Sequence, residues 1–176
     1  MRSCRPILSP GIRQAALVEW CRRPEFTHAL SLAPNRKNIS LDLLIDVFGA
    51  FCLEVDRLMF GTKHVHRRPT WERFQAIAFP EMLEGNPHLH CVANFSRLHW
   101  QSRLDKPWED ELPGIWKGIT REPGSLDLQE KWGTGWERYI TKEVFRPGHD
   151  FLLAADFHSN ERVEDKQLKA VLATLK

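Results

Sequence analysis

Hydrophobic side chains in the first third of the chain follow two different periods. Apolar and polar residues alternate over residues 26–32 and stop at Pro34, which is typical of a strand followed by a turn. After Ser40, a residue type that caps free helix amides, apolar residues recur at helical spacing up to Gly61. The pattern predicts a strand and then an amphipathic helix ending near Phe60, with a buried face of Leu41, Leu44, Ile45, Phe48, Cys52, Val55 and Leu58.

An antiparallel hairpin is predicted in the middle of the chain. Residues 71–81 are rich in β-forming side chains in their second half, and residues 88–95 form a second such run. Residues 83–87 between them include a glycine and a proline, which favour a turn. The hairpin should bring the end of its first strand beside the start of its second.

The remaining elements complete an α+β pattern. They are a short helix over 13–21, a loop with a short helix near Trp108 over 96–118, a strand over 125–129, a helix over 135–146 with a Thr134–Glu137 capping box and a stop at Pro147, a strand over 151–157 and a helix over 163–176. The order β-α-β-β-loop-β-α-β-α predicts an antiparallel sheet of about five strands with helices on one face. We expect one domain over residues 1–176, with a basic arm at 1–24 and a C-terminal extension at 148–176.

Composition narrows the class of protein. Apolar residues make up 42% and charged residues 27% of the 176-residue chain, so a packed core is expected, and the net charge of +2 creates no strong global field. No apolar run approaches the roughly 18 residues needed to cross a bilayer. The four cysteines contain no CxxC pair, which argues against a disulfide framework or a cysteine zinc site and favours a reducing, cytoplasmic location.

Two histidines of the hairpin form a candidate metal site. His88 and His90 are two residues apart on a strand, so both side chains point to the same face. Glu81 ends the preceding strand and should lie opposite them, whereas Glu84 lies nearer the tip of the turn. Two histidines and a carboxylate, with open coordination positions, form a catalytic type of metal site. Without Glu81 the pair would be read as two partly exposed strand histidines.

A second pair, His64 and His66, has the same spacing. Eight histidines in this chain produce about 0.4 such pairs by chance, so the pattern alone is weak. This pair follows the helix stop at Gly61 and leads into Pro69, which disfavours a central strand. We predict that it lies in a loop or at a strand edge, and at most contacts phosphate.

Tyr139 is a candidate nucleophile. It is the single tyrosine of the chain, and Lys142 and Glu143 follow it at positions that share its helix face. A phenol becomes a nucleophile when a cation or metal stabilises its anion. Taken by itself, the pattern also fits an ordinary half-buried helix tyrosine beside a lysine.

Together these motifs resemble the HUH endonucleases of the rolling-circle Rep type. Residues 26–34 (FTHALSLAP) are similar to that family's first strand motif, Glu81 with His88 and His90 to its metal motif, and Tyr139 with Lys142 to its nucleophile motif, in the same order along the chain. The resemblance covers residues 26–146 and implies a ferredoxin-like or RRM-like sheet. The long Trp-rich segment 96–132 departs from the family pattern. The sequence contains no G-x-x-x-x-G-K-[ST] phosphate loop, so no helicase domain is expected in it.

The resemblance implies metal-dependent nicking and joining of single-stranded DNA through a 5′-phosphotyrosine link, at a replication origin or a hairpin. Mn²⁺ or Mg²⁺ is the implied cofactor, and a separate host helicase is an implied partner. A group of basic residues with interleaved aromatic rings would contact phosphates and stack on bases, or would simply be a solvated strand edge with core aromatics. Its members are Arg67, Arg68, Trp71, Arg73 and Phe74.

Three other classes remain as alternatives. A relaxase normally carries its tyrosine before the histidines, which favours a replication initiator or a single-tyrosine transposase here. A non-catalytic DNA-binding regulator with degenerate motifs would form no covalent adduct. A structural zinc protein is disfavoured by the absence of cysteine ligands.

Overall fold

The computed structural model describes residues 9–37, 39–81, 84–98, 107–121, 123–131, 135–144 and 150–158. Their five strands are β1 (His28–Ala33), β2 (Gln75–Glu81), β3 (His88–Asn94), β4 (Ser125–Glu130) and β5 (Leu152–Leu153). All strand pairs are antiparallel, and the sheet order is β4-β1-β3-β2-β5. The predicted hairpin is confirmed as β2 and β3, with its first strand starting at Gln75 rather than at Trp71.

Helices cover both faces of this sheet. They are α1 (Pro10–Cys21), α2 (Leu41–Phe60), α3 (Leu112–Thr120) and α4 (Trp136–Ile140). Helices α2 and α3 pack on the main core with alternate strand residues such as Ala78 and Cys91. Helices α1 and α4 cover residues of the opposite face, such as Ile77 and Val92, in a second core. The α+β prediction is confirmed, but the helices occupy two faces rather than one.

The central part of the fold is a βαββαβ unit. Strand β1, helix α2, the β2–β3 hairpin, helix α3 and strand β4 follow in that order, with strand order 4-1-3-2, which is the ferredoxin-like arrangement. Strand β5 adds to the free edge of β2. Within the described residues, no helix is both long enough and apolar enough to cross a membrane.

Helix α2 begins and ends where the sequence predicts. The Ser40 hydroxyl accepts a hydrogen bond from the Leu43 amide at 3.2 Å, which satisfies one free donor of the first turn. Gly61 follows the last helical residue with φ of +78°, a backbone conformation that residues with a Cβ atom rarely adopt. The predicted basic arm is also folded in part, because α1 packs Cys21 into the second core.

Three other element predictions were wrong. Helix α3 lies in a segment predicted to be mainly loop, and its Trp116 is fully buried and donates to the Ala33 carbonyl at 3.0 Å. Helix α4 ends at Ile140, six residues early, where the Thr141 hydroxyl bonds back to the Glu137 carbonyl. The strand over 151–157 is two residues long and turns into a 3₁₀ helix.

That last 3₁₀ helix is held by an aromatic contact. The ring of Phe157 meets the ring of Phe48 edge-on at 5.6 Å, and a Cβ at Gly49 would lie 2.5 Å from the Phe157 ring. A glycine on α2 therefore permits this close approach. The Thr134 part of the predicted capping box and the helix over 163–176 lie outside the described residues.

A buried ion pair joins α2 to the start of β2. Asp56 accepts from Arg73 Nε at 2.7 Å and from the Phe74 amide at 2.6 Å, and both charged side chains are fully buried. His158 Nε2 lies 3.6 Å from the same carboxylate. Burial and the Arg73 charge lower the pKa of His158 to about 4, so this histidine is neutral at neutral pH.

Stability should fall in mild acid. An unfolded histidine binds a proton near pH 6.5, whereas His158 binds one only near pH 4, so the unfolded chain binds more protons between these values. The free energy of unfolding should therefore decrease as the pH falls from about 6.5 towards 4. Urea titrations across that range should give a shallower pH dependence for His158→Gln than for the natural chain. Equal slopes would contradict the assignment.

Candidate metal centre and tyrosine

The hairpin places three potential metal ligands side by side. In the β2–β3 register Glu81 stands opposite His88, and His90 follows two residues later on the same face. One ligand atom from each of the three lies within 4.8 Å of the others. Among the described residues this is the one such group of three or more His, Cys, Asp or Glu side chains. The sequence prediction of Glu81, His88 and His90 as neighbours is confirmed.

The histidines present the same atom towards one another. The Nε2 atoms of His88 and His90 are 3.1 Å apart, and His90 Nε2 is 3.2 Å from a Glu81 carboxylate oxygen. His90 and Glu81 are largely buried, at 7% and 8% exposure, while His88 is partly exposed. The group is thus anchored in the fold on one side and open on the other.

The second ring nitrogen of each histidine has its own partner. His88 Nδ1 lies 2.9 Å from the Asn86 carbonyl, which can only accept, so Nδ1 carries the proton and Nε2 keeps its lone pair. His90 Nδ1 lies 2.9 Å from the Ser31 hydroxyl, which can accept in the same way. Such partners orient metal-binding histidines in known sites.

These residues fit a divalent cation. Burial, followed by the charge of His88, lowers the pKa of His90 to about 4, so its ring is neutral at pH 7. The Nε2 atoms of the two imidazole rings and a carboxylate oxygen therefore converge at one point, an arrangement that a bound cation stabilises. Nitrogen and oxygen ligands together suit several divalent ions.

Lys142, which follows helix α4, forms an ion pair with the same carboxylate. Its Nζ lies 2.6 Å from the other Glu81 oxygen and 3.7 Å from the centre of the Tyr139 ring. Partial burial lowers the pKa of Lys142, but its hydrogen bonds to Glu81 and Tyr139 and their charges outweigh that effect, and the net pKa is raised. Lys142 is therefore a fixed positive charge beside the candidate metal ligands.

Tyr139 contacts one of the two histidines. Its ring centre is 5.2 Å from that of His90, and it stacks on Trp136 at 5.7 Å. The residue is 44% exposed, although its ring packs against Trp136 and His90. Helix α4 thus presents the one phenol of the chain to solvent beside the candidate metal ligands.

Sequence reasoning missed three contributors. They are Ser31 and Asn86, which hold the histidine rings, and Trp136, which stacks on Tyr139 and donates to the Cys91 carbonyl at 3.2 Å. Ser31 lies in the segment that resembles the first strand motif, and this is the one signal that could have identified it. Its pairing with His90 depends on the β1–β3 register, which no local pattern reveals.

The predicted DNA-contacting set divides into two groups. Arg67, Arg68 and Trp71 are exposed, so they remain candidates. Arg73 is 2% exposed and held by Asp56, and Phe74 is 1% exposed in the main core, so neither side chain can reach a nucleic acid. Neither remains a candidate DNA contact. The sequence indicates a surface charge at Arg73 because the partner that buries it lies 17 positions away on α2.

Glu81, and not Glu84, should be the third metal ligand. Glu84 is exposed at the turn and is not part of the converging group. Glu81→Gln should weaken Mn²⁺ binding about tenfold or more, because an anionic ligand is replaced by a neutral one, whereas Glu84→Gln should change it little. Calorimetric titration of both variants with Mn²⁺ measures this directly, and a larger loss in the Glu84 variant would show that another carboxylate binds the ion.

Comparison of this chain with protein-family models, with curated proteins and with solved structures gives no match.

Proposed function

We propose that this protein is a metal-dependent endonuclease that nicks and rejoins single-stranded DNA through a covalent 5′-phosphotyrosine. One observation carries the proposal: an exposed tyrosine, a lysine and a His-His-Glu group meet at one point of the surface. The same types of residue, in the same chain order, make up the motifs of the HUH endonucleases that the sequence resembles. The proposed role is initiation of rolling-circle replication of a small replicon in the cytoplasm.

The proposed reaction is a transesterification. Tyr139 Oη loses its proton to solvent and bonds to the phosphorus, while the bond to the 3′ oxygen breaks and that oxygen takes up a proton. A phosphodiester bond is exchanged for another, so a 3′-hydroxyl can reverse the step without ATP. One tyrosine allows one covalent strand at a time.

Each neighbouring residue has a proposed part in this reaction. His88, His90 and Glu81 would hold Mn²⁺ or Mg²⁺, which as a Lewis acid would polarise the scissile phosphate. Lys142 would stabilise the negative charge that develops on the phosphate oxygens and on Tyr139. Single-stranded DNA is the proposed substrate because a splayed backbone can align with the nucleophile.

Lys142→Met should slow cleavage about 10- to 1,000-fold without abolishing it. Methionine keeps most of the aliphatic length but removes the charge beside Tyr139, and the nucleophile itself remains. Single-turnover rates at saturating Mn²⁺ test this, and Lys142→Arg should retain more activity than Lys142→Met. A Lys142→Met variant with the natural rate would exclude an electrostatic role.

The decisive experiment is incubation with a random mixture of single-stranded oligonucleotides and Mn²⁺. The expected result is a protein–DNA adduct that survives SDS, forms only when the metal is present and does not form when EDTA is present from the start. A DNA-binding regulator without catalysis would bind the same oligonucleotides but give no adduct. Free fragments without any adduct would indicate hydrolysis by water and would exclude the covalent tyrosine.

A further inference from the structure

The most exposed large hydrophobic side chain of the described residues lies far from the candidate metal centre. Trp71 is 75% exposed in a short 3₁₀ helix (Thr70–Glu72) just before β2. An indole at this exposure gains nothing from the core and offers a flat face to a ligand. Such rings stack on nucleobases of any sequence.

Positive charges surround this ring. Lys63, Arg67 and Arg68 are exposed, and Glu72 is the one acidic residue of the segment 61–72. Arg68 is held in place by Glu72 at 3.3 Å and by the Phe60 ring at 5.2 Å, whereas no ion pair to Lys63 or Arg67 occurs within the described residues. We call Lys63, Arg67, Arg68 and Trp71 the distal patch.

The distal patch lies at the opposite end of β2 from Glu81. Six residue steps separate Gln75 from Glu81, which is about 20 Å along a strand, and Trp71 precedes Gln75. Arg97 lies just after the last residue of β3, which pairs with the first residue of β2, and its side chain is 4.0 Å from Glu72 at that end of the two strands. The patch also contacts the last residue of α2, which packs on the face opposite the metal group. It therefore cannot touch the scissile phosphate.

We infer that the distal patch binds an uncleaved part of the same nucleic acid strand, a single-stranded flank that the candidate metal centre does not contact. The inference rests on the proposed function for its ligand. The combination of a solvent-exposed indole with exposed cations, of which Lys63 and Arg67 have no ion-pair partner among the described residues, favours a polyanion that also carries aromatic bases. An acidic protein surface would use the charges but not the indole, and duplex DNA hides the faces of its bases.

Binding in the absence of cleavage tests this inference. The Tyr139→Phe protein in EDTA is titrated into a dye-labelled oligothymidylate of about 30 nucleotides, and anisotropy reports the affinity. Trp71→Ala, added to that background, should lower the affinity about tenfold, while Trp71→Phe should remain within about threefold, because a phenyl ring still stacks. Arg67→Gln with Arg68→Gln should lower the salt dependence of log K by about 1.4, since each phosphate contact contributes roughly 0.7.

The matched control is Lys117→Gln, which removes an exposed charge from α3, away from the distal patch. Its affinity for the oligothymidylate should equal that of the Tyr139→Phe protein. Unchanged affinity in Trp71→Ala would overturn the inference, as would displacement of the DNA by polyglutamate at equal charge, which would indicate an acidic protein partner. The proposed function is tested separately by the SDS-resistant adduct. Trp71-dependent binding without any adduct would reject the nuclease and keep the binding surface.

Discussion

Replacing Tyr139 with phenylalanine is expected to abolish both DNA cleavage and the covalent adduct. The substitution removes one oxygen atom, the proposed nucleophile, and leaves the ring that stacks on Trp136 and contacts His90. Because the side chain is 44% exposed, the fold should be unaffected. Adduct formation on a cleavable oligonucleotide with Mn²⁺, followed on denaturing gels, measures the loss.

The same variant separates catalysis from binding. Affinity for single-stranded DNA and for Mn²⁺ should stay within about twofold of the natural chain, since neither the metal ligands nor the distal patch is changed. The chain has no other tyrosine, so an adduct in Tyr139→Phe would have to form on a different residue type. That result would reject the phosphotyrosine mechanism.

The double change His88→Ala, His90→Ala is expected to remove metal-dependent cleavage. Two of the three converging ligands are lost, and one carboxylate alone binds a divalent ion weakly. Calorimetry should show Mn²⁺ affinity reduced at least about 100-fold, beyond the 10- to 100-fold loss typical of an outer partner. The single change His88→Asn removes one candidate ligand at a partly exposed position, so it tests metal binding with the least disturbance of the fold.

The second histidine pair supplies the matched control. His64 is exposed and His66 is part of a short 3₁₀ helix (Val65–Arg67), and neither belongs to the converging group. The double change His64→Ala, His66→Ala should leave the Mn²⁺ response unchanged and weaken DNA binding modestly, more at low salt than at high salt. If the His64 and His66 variant lost the metal response while the His88 and His90 variant stayed active, then His64 and His66, and not His88 and His90, would be the metal ligands.

Local patterns in the sequence determined the elements whose stability is mostly local. The cap at Ser40 and the stop at Gly61 bound α2 because each acts within one helical turn. The Glu81–His88 pairing could be predicted because a short turn joins β2 to β3, and a hairpin of that kind leaves little freedom of register. The three candidate metal ligands could therefore be predicted from the sequence, because they lie fewer than ten positions apart.

Contacts between distant segments decided the rest. The Ser31 hydroxyl reaches His90 across 59 positions, and Asp56 buries Arg73 from another element, so neither relationship leaves a periodic trace. Helix α3 forms because the buried Trp116 packs against α2 and bonds to β1, despite nearby glycines that favour a loop. The sequence determined which candidate residues lie close together along the hairpin. The tertiary structure decided how their rings and charges are oriented, because that orientation depends on packing against distant segments.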